Sequence, residues 1–210
     1  MGGMTLRELF VMAPVSGVIM VITIAISWYA LAKNQSLMYD WVLHPYAVVR
    51  QNKYYQLITH GLIHGSWIHL FINMYVFYNF AFYLEGWMLG SVNFAIVYFG
   101  SMFISAGVSV WRRQNYEEFR SLGASGAISG LLFSFILFNP TVELLLFFIL
   151  PMPAWLAAIV FVAGSYYLAK NNMLPGIDHE AHLWGAIAGA AITIVLQPNV
   201  LQIFITKLLG

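Results

Sequence analysis

The chain has 210 residues, of which 61% are hydrophobic and only 8% charged, with a formal net charge of +1 and a mean hydropathy of +0.78. Soluble domains carry about a quarter charged residues, so this composition defines an integral membrane protein. Nine Lys and Arg scattered over the whole length exclude a nucleic-acid partner, which needs clustered cations, and the lack of cysteine excludes disulfides, thiolate nucleophiles and Cys-based metal sites.

Charges and prolines mark apolar segments at about 12–32, 62–84, 88–110, 123–139, 154–169 and 181–197, near the roughly 20 residues that cross a bilayer as a helix. They predict an all-α polytopic membrane protein, a six-helix bundle forming one integral membrane domain over 1–210 with both termini on one side. The first run ends in Ala30-Leu31-Ala32, which resembles a signal-peptidase site. The run is longer than the roughly 7 to 15 residues of a signal core, and an uncleaved span is expected. From Lys33 to Gln56 the chain mixes Tyr39, Trp41, Tyr46, Tyr54 and Tyr55 with Arg50 and Lys53, a composition suited to the membrane interface. Asn139-Pro140 ends the fourth span, because proline cannot continue a helix. The stretch Thr141 to Pro153 is too short to cross about 30 Å of hydrocarbon and is expected at the interface or re-entering, the alternative being one kinked span over 141–169.

Spans two, four and six enter from the same face, and each carries polar residues in its first half. Span two brings His64, His69 and Asn73, span four Ser125, and span six His182. Polar groups are expensive inside a membrane and usually face the bundle interior at functional sites. Ser125 follows Gly123-Ala124 at the start of a helix, where unpaired N–H groups and the positive end of the helix dipole favour an oxyanion. Small residues of this kind also serve plain helix packing. His182 supplies a base able to take the serine proton. No acid within a span completes a triad, so a Ser-His dyad is inferred, although a lone membrane histidine is more often a satisfied core residue. Gly185 and Gly189 follow His182 at i+3 and i+7, and Gly126 and Gly130 follow Ser125 at matching spacing, a pattern for close approach of the two helices.

His60, His64, His69 and Asn73 form a second cluster whose N–H groups suit an oxyanion. Histidines so spaced can instead bind zinc. The segment His179-Glu180-Ala181-His182 is one residue short of the HExxH zincin pattern, and scattered His and Asp ligands stay open.

At these residues the chain resembles the rhomboid intramembrane serine proteases. His64-Gly-Ser-Trp-Ile-His69-Leu-Phe-Ile-Asn73 resembles the family's HxxxxHxxxN pattern, Gly123-Ala-Ser125-Gly126 its GxSG motif, and Ala181-His182-Leu-Trp-Gly185-Ala-Ile-Ala-Gly189 its AHxxGxxxG helix, in family order between Tyr55 and Gly189. The resemblance implies a six-helix core that cleaves transmembrane substrates, Ser125 as nucleophile, His182 as base, and His69 and Asn73 on the oxyanion. Three departures stand out: Tyr55-Gln56 where many members have Trp-Arg, Ser129 where many have an aromatic packed on the catalytic histidine, and a Glu85-to-Gly90 spacing one residue longer. With Ser129 at that position, Trp184 and Asp178 are the candidates to hold His182. The resemblance also implies cytoplasmic termini, which leaves only Arg7 and Lys207 inside and seven other cations outside, against the positive-inside rule.

These readings together give a serine endopeptidase with no cofactor and no bound metal, partnered by transmembrane protein substrates and membrane lipid, in a bacterial inner membrane. A substrate helix must unwind locally before attack, so Gly, Ala or Ser near the scissile bond is expected. The interfacial segments and the loop 169–180 are expected to gate access. Two rivals remain: a zinc hydrolase built on the histidines and a non-catalytic binder of membrane helices.

Overall fold

The structure, a computed structural model, describes residues 5–146, 149–171, 173 and 177–210. Eleven α-helices account for most of them. A short N-terminal helix, α1 (Leu6–Met12), and the 19-residue α2 (Pro14–Ala32) meet at Pro14 in the first turn of α2, where a missing N–H costs nothing. The stretch assigned to the interface folds into three small helices, α3 (Gln35–Trp41), α4 (Pro45–Arg50) and α5 (Gln56–Thr59), the last running into a 3-10 turn at His60–Leu62.

The chain then forms α6 (Trp67–Tyr83), a π-helical segment Leu84–Leu89 and α7 (Gly90–Arg113). As one run of 47 residues this would be more than twice the roughly 30 Å of a bilayer core. Gly90 at φ 72 reverses it, so that Phe77 of α6 meets Phe94 and Tyr98 of α7 edge to face. The π turn absorbs the extra residue between Glu85 and Gly90: the Gly90 N–H bonds back to the Glu85 carbonyl, five residues earlier. Glu85, 1% exposed, is thereby held against the start of α2, where its carboxylate accepts from the N–H groups of Val15 at 3.0 Å and Ser16 at 2.6 Å and from the Ser91 hydroxyl at 2.6 Å. A carboxylate on the orphan donors of a helix N-terminus offsets much of its burial cost.

The centre of the bundle is α8 (Ser125–Phe138), with ten of its fourteen residues buried. Fourteen residues rise only about 21 Å, short of the span expected over 123–139, so the preceding loop descends into the protein to meet it. That loop is tied down by paired bonds between Leu43 and Ser121, at 2.9 and 3.0 Å, and by the Gly123 N–H on the His60 carbonyl at 2.8 Å. Asn139 and Pro140 end the helix as expected, and Lys207 donates to the Phe138 carbonyl at 2.8 Å, a cation at the negative end of the dipole.

Beyond Pro140 the chain does not re-enter as a helix. Strands β1 (Glu143–Leu146) and β2 (Leu150–Pro153) pair as an antiparallel hairpin, with Leu145, Ile149 and Leu150 exposed, and α9 (Ala154–Lys170) starts directly after it. The single kinked span over 141–169 is therefore not formed. Helices α10 (His179–Leu196) and α11 (Val200–Leu209) complete the chain. Of the loop 169–180 expected to gate access, residues 172 and 174–176 lie outside the described residues.

The core around α8 joins α6, α7 and α8 through Leu70, Met74, Phe77, Phe94, Tyr98 and Leu131. Among the described residues, α2, the run 67–113 and α10 have the length and apolarity to cross a membrane on their own, with α8, α9 and α11 as shorter apolar helices. The molecule is a polytopic membrane helical bundle.

Candidate active site

The glycines predicted to let two helices approach do so. A Cβ on Gly185 would lie 2.7 Å from the Gly126 carbonyl carbon and 3.0 Å from its Cα, and one on Gly189 would lie 2.5 Å from the Gly130 carbonyl carbon. On the other side of α8, Ser101 and Ser105 of α7 fill the space a Cβ at Gly130 or Gly126 would need. Backbone contact of this kind is what small residues provide where lipid supplies no hydrophobic drive between helices.

Across this seam the Ser125 hydroxyl and His182 Nε2 lie 2.7 Å apart, within the range for proton transfer. Both side chains are half-buried. Ser125 is the first residue of α8, so its hydroxyl projects where backbone N–H groups lack helical partners.

Of the other two predicted residues, His69 reaches the same end of α8. Gly123, at φ 108, passes so close to the His69 ring that a Cβ there would meet its Cε1 at 2.8 Å and its Nε2 at 2.9 Å. The Gly65 N–H points at His69 Nδ1 from 3.4 Å, which makes Nδ1 the acceptor and leaves Nε2 with the proton, directed at the loop before Ser125. Asn73, buried one turn further on, donates one amide hydrogen to the His69 carbonyl at 3.0 Å and keeps the second.

His64 plays a different part. The Ser27 hydroxyl donates to the Leu62 carbonyl at 2.8 Å, so it must accept from His64 Nδ1 at 2.9 Å. His64 Nε2 is then an acceptor, 3.5 Å from the Ala124 N–H, and the ring stands edge-on to His69 at 5.0 Å. His64 thus braces the loop and the His69 ring and has no proton to offer an oxyanion. His60 is turned away, its Nδ1 donating to the Gln56 carbonyl at 2.8 Å. Among the described residues no group of three or more His, Asp or Glu side chains is arranged to hold a metal.

The departures noted in the sequence are met by local substitutes. Gln56, 1% exposed, uses both ends of its amide, donating to the Asp40 carbonyl at 2.9 Å and accepting the His44 N–H at 3.1 Å. The Tyr55 hydroxyl donates to Asp40 at 2.7 Å, which raises its own pKa. His44, held below its ordinary pKa by burial first and by Arg120 second, donates to the Glu117 carbonyl at 3.0 Å. The first loop is therefore anchored without the Trp-Arg pair. Ser129 bonds the Ser125 carbonyl at 2.8 Å and does not reach His182. Instead the start of α10 is fixed: Asp178 caps it, accepting the Ala181 N–H at 2.9 Å and the Ser109 hydroxyl at 3.2 Å, while Glu180 pairs with Arg112 and Arg113 at 3.2 and 3.3 Å.

Sequence reasoning missed Ser27. The signal was present, since Ser16, Thr23 and Ser27 recur at i, i+7 and i+11 in an otherwise apolar span and are all fully buried.

A membrane-embedded helical bundle with a serine and a histidine in hydrogen-bond contact across a glycine seam defines the class. The family model described as Rhomboid domain matches residues 51–199, and the chain belongs to the rhomboid family, a family of the intramembrane protease type. It is 30% identical over 173 residues to Rhomboid protein 1, mitochondrial, of Saccharomyces cerevisiae, covering 77% of this chain and 45% of that protein. To RHOMBOID-like protein 6, mitochondrial, of Arabidopsis thaliana it is 30% identical over 157 residues, covering 72% of this chain and 47% of the relative. The chain thus spans about half the length of the curated relatives it matches. Both relatives are named as mitochondrial, and they lend no support to the expected bacterial inner membrane.

Proposed function

We propose that this protein is a serine endopeptidase that hydrolyses peptide bonds in or near transmembrane segments of membrane-protein substrates. In this reading residues 1–210 form one integral membrane domain crossing the bilayer six times. The observation that carries it is the 2.7 Å contact between Ser125 Oγ and His182 Nε2. His182 takes the Ser125 proton as the oxygen attacks the scissile carbonyl carbon. The carbonyl π electrons move to oxygen, and the resulting oxyanion is met by the His69 Nε2–H and the unused Asn73 N–H. Collapse expels the amine, which leaves with the proton from His182, and Ser125 is left as an acyl ester. Water, deprotonated by the same imidazole, then releases the carboxylic acid and restores the hydroxyl.

Helical carbonyls are hydrogen-bonded and shielded, so a cleavable segment unwinds first, and small helix-weakening residues at the scissile bond lower that cost. The test is fluorophosphonate labelling in detergent, wild type against Ser125→Ala, with cleavage of a model transmembrane substrate in parallel. Labelling and cleavage confined to the wild type are expected. A wild-type protein that neither labels nor cleaves would leave a non-catalytic binder of membrane helices as the better account.

A further inference from the structure

The two acids nearest the dyad are committed elsewhere. Both Asp178 oxygens are occupied, by the Ala181 N–H and the Ser109 hydroxyl, and Glu180 is held by two arginines. With Ser125 donating, as the dyad reading requires, His182 Nε2 is the acceptor at 2.7 Å and the proton sits on Nδ1. That N–H is a donor with no protein acceptor among the described residues. A base in this position works best when a third group fixes its tautomer and orientation.

One helical turn earlier stands His179, 9% exposed. The Met173 carbonyl lies within reach of one of its ring nitrogens, and because a carbonyl only accepts, that nitrogen is the one to carry the proton. The other, Nε2, is then a bare lone pair, fully buried and, among the described residues, without a hydrogen-bond partner. Its ring faces that of His182 at 6.1 Å between centroids and an interplanar angle of 86°. This is too far for the two nitrogens to bond directly and within the reach of a single water, which needs at least two polar partners. An unmatched buried acceptor beside an unmatched donor is a pairing neither side explains alone.

We infer that His179 is a positioning residue for this reaction: its Nε2 accepts, through one bridging water, the Nδ1–H of His182 and so holds the base in the tautomer that faces Ser125. The inference rests on the dyad reading. As His182 gains the serine proton, the same chain steadies the imidazolium without placing a full negative charge in the membrane, where an unpaired carboxylate is costly.

The test compares wild type, His179→Phe and His179→Gln in detergent. Phenylalanine keeps the ring volume and removes the acceptor, whereas glutamine places an amide oxygen near the position of Nε2. The readouts are the rate of Ser125 phosphonylation, kcat and KM on a model transmembrane substrate, and the melting temperature. His179→Phe is expected to lower kcat and the phosphonylation rate by about ten- to a hundredfold with KM unchanged, a loss on the scale of a misplaced reacting group, while His179→Gln recovers most of the rate. Unchanged rates in His179→Phe overturn the inference, and so do equal losses in both variants, which mark a shape requirement and not an acceptor. If the wild type itself is not phosphonylated, the dyad reading falls first and this inference with it.

Discussion

Gly185 rests on the backbone of Gly126: a Cβ added to it would meet the Gly126 carbonyl carbon at 2.7 Å, and backbone cannot step aside as a side chain can. A Cβ on Gly126 would instead meet the side chain of Ser105, whose hydroxyl at 2.5 Å can turn away at the cost of its bond to the Met102 carbonyl, and the Ala181 carbonyl only at 3.5 Å. The two alanine substitutions therefore differ in kind. Gly185→Ala is expected to push α10 off α8 and cost on the order of 10²-fold in turnover, as displacing a reacting pair by about 1 Å does, with about 1 to 3 kcal/mol of destabilisation from overpacking. Gly126→Ala is expected to be several-fold milder. Kinetics and melting of the two purified variants check the order, and equal effects would mean that the seam does not set the Ser125–His182 distance.

Ser125→Ala and His182→Ala are each expected to abolish cleavage, and the double variant to be no worse than either alone, because members of one catalytic unit do not contribute additively. Cleavage assays on the three variants, with chelator added to the wild type, make the comparison. Losses that multiply in the double variant, or activity lost to chelator and restored by zinc, would point away from the dyad.

Glu85 lends itself to a stability test remote from the chemistry. Its removal leaves the Val15 and Ser16 N–H groups unpaired in an interior where each uncompensated donor costs about 1 to 3 kcal/mol. Glu85→Ala is expected to lower the melting temperature markedly and Glu85→Gln less, since the amide oxygen can still accept from one N–H. Turnover per folded molecule should change little in both. A Glu85→Ala protein as stable as wild type would show that the carboxylate is not what joins the π turn to α2.

Much of this was legible in the sequence because membrane spans and buried polar groups leave strong marks. Apolar run length placed the helices α2, α7, α8, α9 and α10 to within about three residues and the start of α6 to within about five, the spacing of Gly126, Gly130, Gly185 and Gly189 announced the seam, and the parity of the segments set Ser125, His182 and His69 at one end. Other features depended on partners far away in the chain. Nothing local to Glu85 reveals that it caps a helix 70 residues earlier, and the extra residue before Gly90 becomes a π turn only once α6 and α7 are packed. The hairpin at 143–153 was hidden because prolines and a Leu-rich run fit an interfacial strand pair as well as a broken helix. The division of labour between His64 and His69 turns on which ring nitrogen holds the proton, and that is set by Ser27 and Gly65, not by the HxxxxHxxxN spacing.

That division makes the histidines separable by experiment. With Nδ1 accepting from Gly65, His69 presents Nε2–H toward the loop before Ser125, where charge would grow on the scissile oxygen. A preorganised donor of this kind is worth about 10² to 10³ in turnover. Asn73 has already given one hydrogen to the His69 carbonyl, so it offers a single donor and also steadies the turn that carries His69. His64 offers none. The expected order of kcat loss is therefore His69→Ala more severe than Asn73→Ala, both with KM nearly unchanged, since a lost docking contact would instead raise KM. His64→Ala is expected to act through stability, because it strands the Ser27 network and loosens Ala124, and its remaining folded fraction should keep a KM close to wild type. Ser125 should still react slowly with a phosphonate in both His69→Ala and Asn73→Ala, because the dyad is intact. If His69→Ala and Asn73→Ala keep kcat and lose only thermal stability, the two side chains are structural. The oxyanion would then be held by backbone N–H groups at the start of α8 alone.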